Sequence, residues 1–294
     1  MSESPQRVAY LGPPGTNTDE ALRASADGPI EQIASATVRD AIMAVQDGTA
    51  DRAVVPIENS LEGGVAATLD ALAGEASDVR IVRETVHPIH HHLIAARPVA
   101  LDEIGGILSH PHALGQCSRF LRERLSRADV TAASSTAEAV RLVARRRGDR
   151  TPWAAIGSRL SAELYGATIV AERIEDRSDN VTRFVWLARA AEARPPRDGP
   201  VKTSIVFWGF NDDAPGSLVS VLRELSEREI NLTKIESRPR RVRLGHYMFF
   251  ADLDASASDP RVEEALAALG ARVETLRVLG SYPAAAVLDD PGSP

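Results

Sequence analysis

The stretch DNVTRFVWLA at residues 179–188 decides how the first two-thirds of the chain is interpreted. From Val185 onward it is apolar over enough positions to predict a buried strand. A hydroxyl and a permanent cation, Thr182 and Arg183, stand directly ahead of that strand. Arg183 has two interpretations here, a structural salt bridge or an anion-binding group. The pair therefore marks a candidate site near the end of the first domain.

Upstream of this stretch, short apolar runs alternate with amphipathic stretches. Each amphipathic stretch has apolar residues at helical spacing and a plausible N-terminal cap. Such alternation predicts an α/β fold in which helices cover parallel sheets. The predicted strands are RVAYLG (7–12), RAVVPI (52–57), GGILSH (105–110) and WAAIGS (153–158), and the predicted helices are TVRDAIMAVQDG (37–48), HALGQCSRFLRERL (112–125) and TAEAVRLVARRRG (136–148).

A long extended run divides this region in two. VRIVRETVHPIHHHLIAA (79–96) is too long for one strand, so we expect a crossover near residues 80–96 that joins two lobes. The return crossing is expected near residues 175–189. Residues 1–190 are therefore predicted to form one domain of two lobes.

A second domain is expected after a linker at residues 191–200, where proline, glycine and charged residues are concentrated. Beyond it the pattern is strand, helix, strand, strand, helix, strand, which is typical of a ferredoxin-like βαββαβ fold. This second domain is predicted to cover residues 201–283. The remaining residues, 284–294, are expected to form a flexible tail.

Composition narrows the class of protein. The net charge of -7 argues against nonspecific nucleic-acid binding, although a pocket can still be locally positive. The single cysteine, Cys117, excludes an internal disulfide and fits a reducing compartment. The first ten residues lack an apolar signal segment, and no stretch has the roughly 20 apolar residues of a membrane span. We expect a cytoplasmic protein without a membrane or nucleic-acid partner.

A glycine-rich turn follows the first predicted strand. GPPGT (12–16) precedes a helix that is expected to begin near Thr18. Gly15 and its neighbours allow a tight turn that presents N–H groups and the Thr16 hydroxyl at a helix N-terminus, where anions are favoured. One interpretation is a cradle for a carboxylate or phosphate, and the other is an ordinary strand-to-helix turn.

The segment VVPIENS (54–60) has a similar arrangement. It delivers Glu58, Asn59 and Ser60 to the carboxyl end of a strand, where parallel α/β sheets usually bind ligands. Helix capping by Asn59 or Ser60 is the alternative.

A third polar strand end lies in ILSHPHALGQC (107–117). Ser109 ends the strand, and Pro111 suits the start of a helix. Gln116 falls within the first two turns of that helix, so it is near enough to share a pocket with Ser109.

Four of the seven histidines lie between His87 and His92, which raises the question of a metal site. Adjacent residues of a strand point to opposite faces, so His90 and His92 share a face that His91 does not. No cysteine and no helical H-x-x-x-H spacing accompany them. We therefore expect no metal and no cofactor, and interpret the histidines as polar groups that line the crossover.

Taken in order, GPPGT, VPIENS, SHPHALGQC, AELYGA, DNVTRF and ESRP resemble the motifs of the prephenate dehydratase family. The resemblance extends from about Val8 to Pro283, and the region after the linker resembles an ACT domain, a fold that senses amino acids. It implies a catalytic unit similar to a two-lobed periplasmic binding protein of type II, with the active site between the lobes. It also implies a lyase that converts prephenate to phenylpyruvate, with loss of water and carbon dioxide.

The resemblance assigns candidate roles within the catalytic unit. Thr182 of the TRF motif matches the principal catalytic residue, and we expect it to donate a hydrogen bond to the leaving hydroxyl. Arg183 and the N–H groups near Gly15 and Thr16 are expected to hold carboxylates, and Phe184 to contact the substrate. The polar side chains expected to line the cleft and fix the ring are Glu58, Asn59, Ser60, Ser109 and Gln116.

The resemblance also implies feedback inhibition by L-phenylalanine, bound where two ACT domains meet in a homodimer or homotetramer. Two segments of this sequence match the family's effector site, and the alternative is that both only pack the module and mediate dimerisation. The candidate residues are Pro215, Gly216, Ser217, Leu218, Val219, Asn231, Leu232, Glu236, Ser237, Arg238 and Pro239.

Three positions depart from the family pattern. Ser217 replaces alanine in the effector segment, Asn17 replaces an aromatic or bulky residue, and His112 replaces a frequent glutamine. Arogenate dehydratase, prephenate decarboxylase and a non-catalytic amino-acid sensor remain alternative functions. The intact Thr182 motif argues against the last two.

Overall fold

The computed structural model describes residues 5–196, 199–210 and 214–285. Within them the chain forms three sheets covered by helices, an α/β architecture. The first elements are β1 (Gln6–Leu11), α1 (Asn17–Ser25), β2 (Ile30–Ser35), α2 (Val38–Gln46), β3 (Arg52–Asn59), β4 (Gly63–Gly64), α3 (Ala66–Ala73) and β5 (Val79–Pro88). Together with β11 (Val181–Arg189) they make up the first lobe.

The second lobe is built from the segment between β5 and β11. Its elements are β6 (His92–Ala95), β7 (Gly106–Ser109), α4 (Pro111–Gln116), α5 (Ser118–Arg124), β8 (Asp129–Ala132), α6 (Thr136–Ala144), β9 (Trp153–Gly157), α7 (Arg159–Tyr165) and β10 (Thr168–Ala171). Short 3₁₀ turns cover Leu101–Glu103 and Ala190–Glu192. Serine side chains cap α6 and α7, as the sequence indicates for helix starts.

The chain crosses between the lobes twice, once between β5 and β6 and again between β10 and β11. The strand order is β2-β1-β3-β11-β5 in the first sheet and β10-β6-β9-β7-β8 in the second. Both sheets are mixed rather than purely parallel, because β11 runs antiparallel to β3 and β5, and β6 runs antiparallel to β9. The chain therefore has the expected two-lobed α/β architecture.

The helix predicted over residues 112–125 is instead two helices, α4 and α5, separated at Cys117. The physical reason lies in the return crossing. The Asp176 carboxylate accepts hydrogen bonds from the Ser118 hydroxyl at 2.9 Å and the Arg119 N–H at 3.1 Å, and so starts a new helix. Long-range capping of this kind leaves no local signal.

The C-terminal module has the predicted βαββαβ order. It comprises β12 (Val201–Trp208), α8 (Ser217–Ser226), β13 (Leu232–Pro239), β14 (Tyr247–Leu253), α9 (Pro260–Gly270) and β15 (Thr275–Pro283). The antiparallel strand order is β13-β14-β12-β15, and α8 and α9 pack on one face of this sheet. The tail expected at residues 284–294 lies outside the described residues beyond 285.

The opposite face of the module's sheet packs against the first lobe. One hydrophobic cluster contains Ile81 and Leu187 of that lobe together with Met248, Phe250 and Leu279 of the module. All of them are buried, so the module and the first lobe share a continuous core. No helix among the described residues has both the length and the apolar character needed to cross a bilayer.

Candidate active site

Thr182 and Asn59 form a pair at the end of the first sheet. They lie opposite each other in the register of β11 and β3, and the Asn59 amide donates to Thr182 Oγ1 at 2.9 Å. Thr182 is 7% exposed. Because the oxygen accepts this bond, the hydroxyl proton is free to donate, and among the described residues it makes no hydrogen bond to a protein acceptor.

A chain of side-chain hydrogen bonds runs from this pair into the second lobe. Asn59 also donates to Asn180 Oδ1 at 2.8 Å, and Asn180 donates to Gln116 Oε1 at 3.1 Å. His91 Nε2 donates to the same Gln116 oxygen at 2.8 Å. Burial lowers the pKa of His91, so this histidine is neutral with its proton on Nε2. The chain connects β3, the return crossing, α4 and the first crossing.

A cavity of about 470 Å³ opens beside this chain. Both lobes line it, with Glu62 from the first, Gln116 from the second, and Asn180 from the crossing between them. Polar groups that converge on a cavity between two lobes are the usual arrangement of a small-molecule site. We call this region the cleft.

A histidine and a carboxylate lie on the other side of Thr182. His87 is the cross-strand neighbour of Thr182 on β5, and its Nε2 lies 3.5 Å from Glu20 Oε2. The Leu160 N–H of the second lobe donates to Glu20 Oε1 at 3.1 Å. Burial alone would raise the pKa of Glu20, but these hydrogen bonds hold it below its usual value. His87 therefore faces an ionised carboxylate that links the lobes.

The glycine turn does not present the predicted anion cradle. The Gly15 N–H already donates to Asp19 Oδ2 at 2.8 Å, and Thr16 Oγ1 donates to the Leu11 carbonyl at 2.9 Å while capping α1. The second lobe closes over the turn, where the Ser158 hydroxyl donates to the Gly15 carbonyl at 3.0 Å. The turn is a contact between lobes, so Gly15 and Thr16 are not proposed as carboxylate ligands.

Arg183 also departs from its expected role. Adjacent strand residues point to opposite faces, so Arg183 points away from Thr182 and toward the C-terminal module. Its guanidinium lies 3.1 Å from Glu58 Oε2, 2.7 Å from Glu84 Oε2 and 2.7 Å from Asp252 Oδ2. Three carboxylates already neutralise this cation, so it is not proposed as a substrate ligand. Glu58 faces the module for the same geometric reason.

Of the remaining residues predicted for the cleft, Ser60 lies in a loop between strands, whereas Ser109 and Phe184 lie in the core. The Ser60 hydroxyl donates to the Asp179 carbonyl at 3.3 Å and ties the loop after β3 to the start of β11. Ser109 is fully buried, and its hydroxyl donates to the Ile156 carbonyl at 2.7 Å. Phe184 is 1% exposed in the core of the first lobe. Ser109 and Phe184 are therefore core residues rather than groups available to a substrate.

The consecutive histidines take separate partners. His90 Nδ1 lies 2.9 Å from Glu175 Oε1, His91 bonds Gln116, and His92 Nδ1 accepts the Arg173 N–H at 3.3 Å. Across residues 5–196, 199–210 and 214–285 no group of three histidine, cysteine, aspartate or glutamate side chains is arranged to hold a metal ion.

The predicted effector residues fall on different faces of the C-terminal module. Gly216, Ser217, Leu218 and Val219 line a cavity of about 260 Å³ at the start of α8. Pro215 immediately precedes this cavity, and no side chain caps the helix. On β13, the side chains of successive residues alternate between the helix-covered face and the face toward the first lobe.

Glu236 and Arg238 are on the face toward the first lobe. Arg238 forms an ion pair with Asp70 of α3 at 3.1 Å, and Glu236 lies 3.2 Å from Lys234. Neither side chain is therefore proposed for the effector site. Ser237 and Pro239 are exposed on the other face, Leu232 packs against the module's own core, and the Asn231 carbonyl accepts the Asp254 N–H at 3.0 Å.

Two α/β lobes that meet at a polar cleft, followed by a βαββαβ module, define a two-lobed enzyme with an appended regulatory-type domain. The family model for prephenate dehydratase matches residues 8–192, and the model for the ACT domain matches residues 210–271. The chain belongs to the prephenate dehydratase family, whose members are lyases.

Individual relatives agree with this assignment. A prephenate dehydratase of Amycolatopsis methanolica is 40% identical over 94% of this chain and 88% of its own length. Arogenate dehydratase 1 of Petunia hybrida is 41% identical over 96% of this chain and 68% of its own length. These two identities are nearly equal, so overall sequence identity does not distinguish a prephenate dehydratase from an arogenate dehydratase.

Two solved structures are also similar. Prephenate dehydratase from Arthrobacter aurescens in complex with L-Phe is 41% identical, with a TM-score of 0.85 over 95% of this chain and 90% of that one. GqqA, described as a novel type of quorum quenching acylase, is 31% identical, with a TM-score of 0.82 over 95% of this chain and 98% of that one. The second structure shows that the fold also carries a different named activity.

Proposed function

We propose that the cleft converts prephenate to phenylpyruvate and that Thr182 assists departure of the ring hydroxyl. Loss of carbon dioxide leaves an electron pair that enters the ring and breaks the carbon–oxygen bond, so hydroxide departs and the ring becomes aromatic. The departing oxygen needs a hydrogen-bond donor as it gains negative charge. The observation that carries the proposal is the Asn59 amide, which donates to Thr182 Oγ1 and leaves the hydroxyl proton for the substrate.

The cleft also has to bind a dicarboxylate. With Arg183 and the Gly15 N–H occupied elsewhere, we propose His87 as the group that faces a substrate carboxylate. His87 is beside Thr182 in the strand register, and its Nε2 lies 3.5 Å from Glu20 Oε2. Asn180 and Gln116 are proposed to orient the ring, since both line the cavity and their positions are fixed by mutual hydrogen bonds.

A hydrolytic function like that named for the acylase relative has less support. An acylase of the nucleophilic type needs a hydroxyl or thiol paired with a base. Cys117 is buried, which raises its thiol pKa, and Ser109 donates to a backbone carbonyl. Among the described residues of the cleft, Thr182 is bonded to an amide rather than to a base.

We also propose that L-phenylalanine binds the cavity at the start of α8 and lowers turnover. The uncapped N-terminus of α8 suits the amino-acid carboxylate, and Phe210 and Phe249 give the cavity apolar walls. The relative from Arthrobacter aurescens is described as a complex with this amino acid. Because β13 is an edge strand with Ile235 exposed on it, we further propose a homodimer or homotetramer through this side of the module.

The proposed location is the cytoplasm, since the lone cysteine is a buried free thiol. We likewise propose that the chain divides into a catalytic domain at residues 1–190, a linker at residues 191–200 and a regulatory domain at residues 201–283.

One experiment separates the candidate functions. The purified chain is incubated in turn with prephenate, arogenate and an N-acyl homoserine lactone, with and without L-phenylalanine. We expect phenylpyruvate from prephenate, followed by its absorbance in base, and slower formation when L-phenylalanine is added. No phenylpyruvate would contradict the dehydratase proposal, and release of a fatty acid from the lactone would favour the hydrolytic one. D-Phenylalanine is the control for the effector, and an unchanged rate with the L-isomer would contradict feedback inhibition.

A further inference from the structure

Two residue pairs occupy adjacent positions on the same two strands. On the cleft face, Asn59 bonds Thr182, and on the opposite face Glu58 forms an ion pair with Arg183 at 3.1 Å. The register places Thr182 opposite Asn59 and Arg183 opposite Glu58. The ion pair and the catalytic pair are therefore carried by the same two segments of backbone.

The C-terminal module closes a ring of hydrogen bonds around the guanidinium. Arg183 donates to Asp252 Oδ2 of β14 at 2.7 Å and to the Tyr282 hydroxyl of β15 at 3.0 Å. The Ser204 hydroxyl lies 2.5 Å from Asp252 Oδ1 and 2.6 Å from the Tyr282 oxygen. Burial raises the pKa of Tyr282, so its hydroxyl stays protonated and completes the ring.

This ring is buried and held from several directions. The side-chain exposures are 11% for Arg183, 2% for Glu84 and 8% for Asp252. The carboxylate of Glu84 also binds Lys202 of β12 at 2.8 Å. Little water is available to replace a lost partner, so removal of one group leaves another buried charge unpaired.

We propose that Asp252 and Tyr282 of the C-terminal module are positioning residues for Thr182 and act through Arg183. The module thereby sets the geometry of the catalytic pair even when no effector is bound. A misplacement of about 1 Å in a reacting group can cost about 100-fold in rate. Loss of either module residue should therefore lower kcat, with little change in KM, because neither touches the substrate.

The test compares matched substitutions at the interface between the module and the first lobe. Asp252→Asn removes a negative charge beside Arg183, and Tyr282→Phe removes a hydroxyl that accepts a hydrogen bond from it. Asp70→Asn is the control, because the Asp70 side chain forms ion pairs with Arg238 and Arg241 across the same interface but makes none with Arg183. Steady-state kinetics with prephenate give kcat and KM for each variant, and thermal unfolding verifies that each variant is folded.

We expect kcat to fall about 10- to 100-fold in Asp252→Asn and Tyr282→Phe, with KM within about twofold of the parent and Asp70→Asn unchanged. Wild-type kcat in folded Tyr282→Phe, which keeps its ring in the core, would overturn the proposal. An equal loss in Asp70→Asn would also overturn it, since damage to the interface in general would then explain the effect. The inference rests on the proposed role of Thr182, which is tested separately by turnover of the parent chain and of Thr182 variants.

Discussion

At the scale of residues, the alternation of a strand separates functions that are adjacent in sequence. Thr182 is bonded to Asn59, from which the hydrogen-bond chain runs to the cleft, and Arg183 faces the module, although the sequence places them side by side. Because successive side chains of a strand point to opposite faces, the sequence alone could have predicted that Thr182 and Arg183 do not share a face. The sequence could not predict which part of the molecule packs against each face of β11. Asn180 and His91 were missed as members of the cleft for that reason, because their partners are distant in sequence.

His91 should make stability depend on pH. Burial lowers its pKa in the folded protein, so the unfolded chain takes up a proton first as the pH falls. The stability that the neutral ring contributes is therefore complete above its unfolded pKa of about 6.5 and is lost below it, at about 1.4 kcal/mol per unit of pKa difference. Urea unfolding of the wild type between pH 8 and pH 5 should show this loss, and His91→Gln should reduce it.

The control for this prediction is His112→Gln, at an exposed position of the same region. It measures how far replacement of another histidine in this region changes the pH dependence, and His91→Gln should change it more. If the free energy of unfolding of His91→Gln fell in parallel with that of the wild type, the neutral buried state of His91 would be wrong.

At the scale of elements, the sequence predicted most strands and helices, including the crossover after β5. These elements can be predicted because the spacing of apolar residues and the capping residues at helix ends are local features of the sequence. The break between α4 and α5 depends on Asp176 from the return crossing, and so it could not be predicted from the helix itself. The first glycine turn was correctly predicted as a tight turn, but its N–H groups are used within the protein.

Substitution at Gly15 should hinder the approach of the lobes. Its φ of +88° disfavours a side chain, and an added Cβ would lie 3.0 Å from Ser161 of the second lobe. We expect Gly15→Val to raise the KM for prephenate and to lower the free energy of unfolding by about 1–3 kcal/mol. Steady-state kinetics and urea unfolding measure the two effects.

Gly199→Val is the control, because it introduces the same kind of backbone strain at a position that makes no contact between the lobes. Gly199 has a φ of +85°, and an added Cβ there would meet no atom within 4 Å. It should lower stability without raising KM. A KM in Gly15→Val equal to that of the parent would show that the contact of this turn with the second lobe does not affect substrate binding.

At the scale of the whole molecule, the two lobes and the module follow from the order of strands and helices. The way in which the module docks on the first lobe does not follow from that order. The continuous apolar run of β12 is consistent with a strand buried on both faces, but it does not say what covers each one. The buried ring around Arg183 joins four separate segments of the chain, β11, β12, β14 and β15, and no local pattern predicts it.

The measurement that tests the central claim most directly is prephenate turnover by Thr182→Ala and Thr182→Ser, with substrate affinity determined in parallel. Removal of one transition-state hydrogen-bond donor should lower kcat by about 100- to 1,000-fold in Thr182→Ala. The Kd for prephenate should change little, and Thr182→Ser should recover much of the loss because it keeps the hydroxyl. Wild-type kcat in folded Thr182→Ala would contradict the assignment of Thr182 as the donor to the departing oxygen.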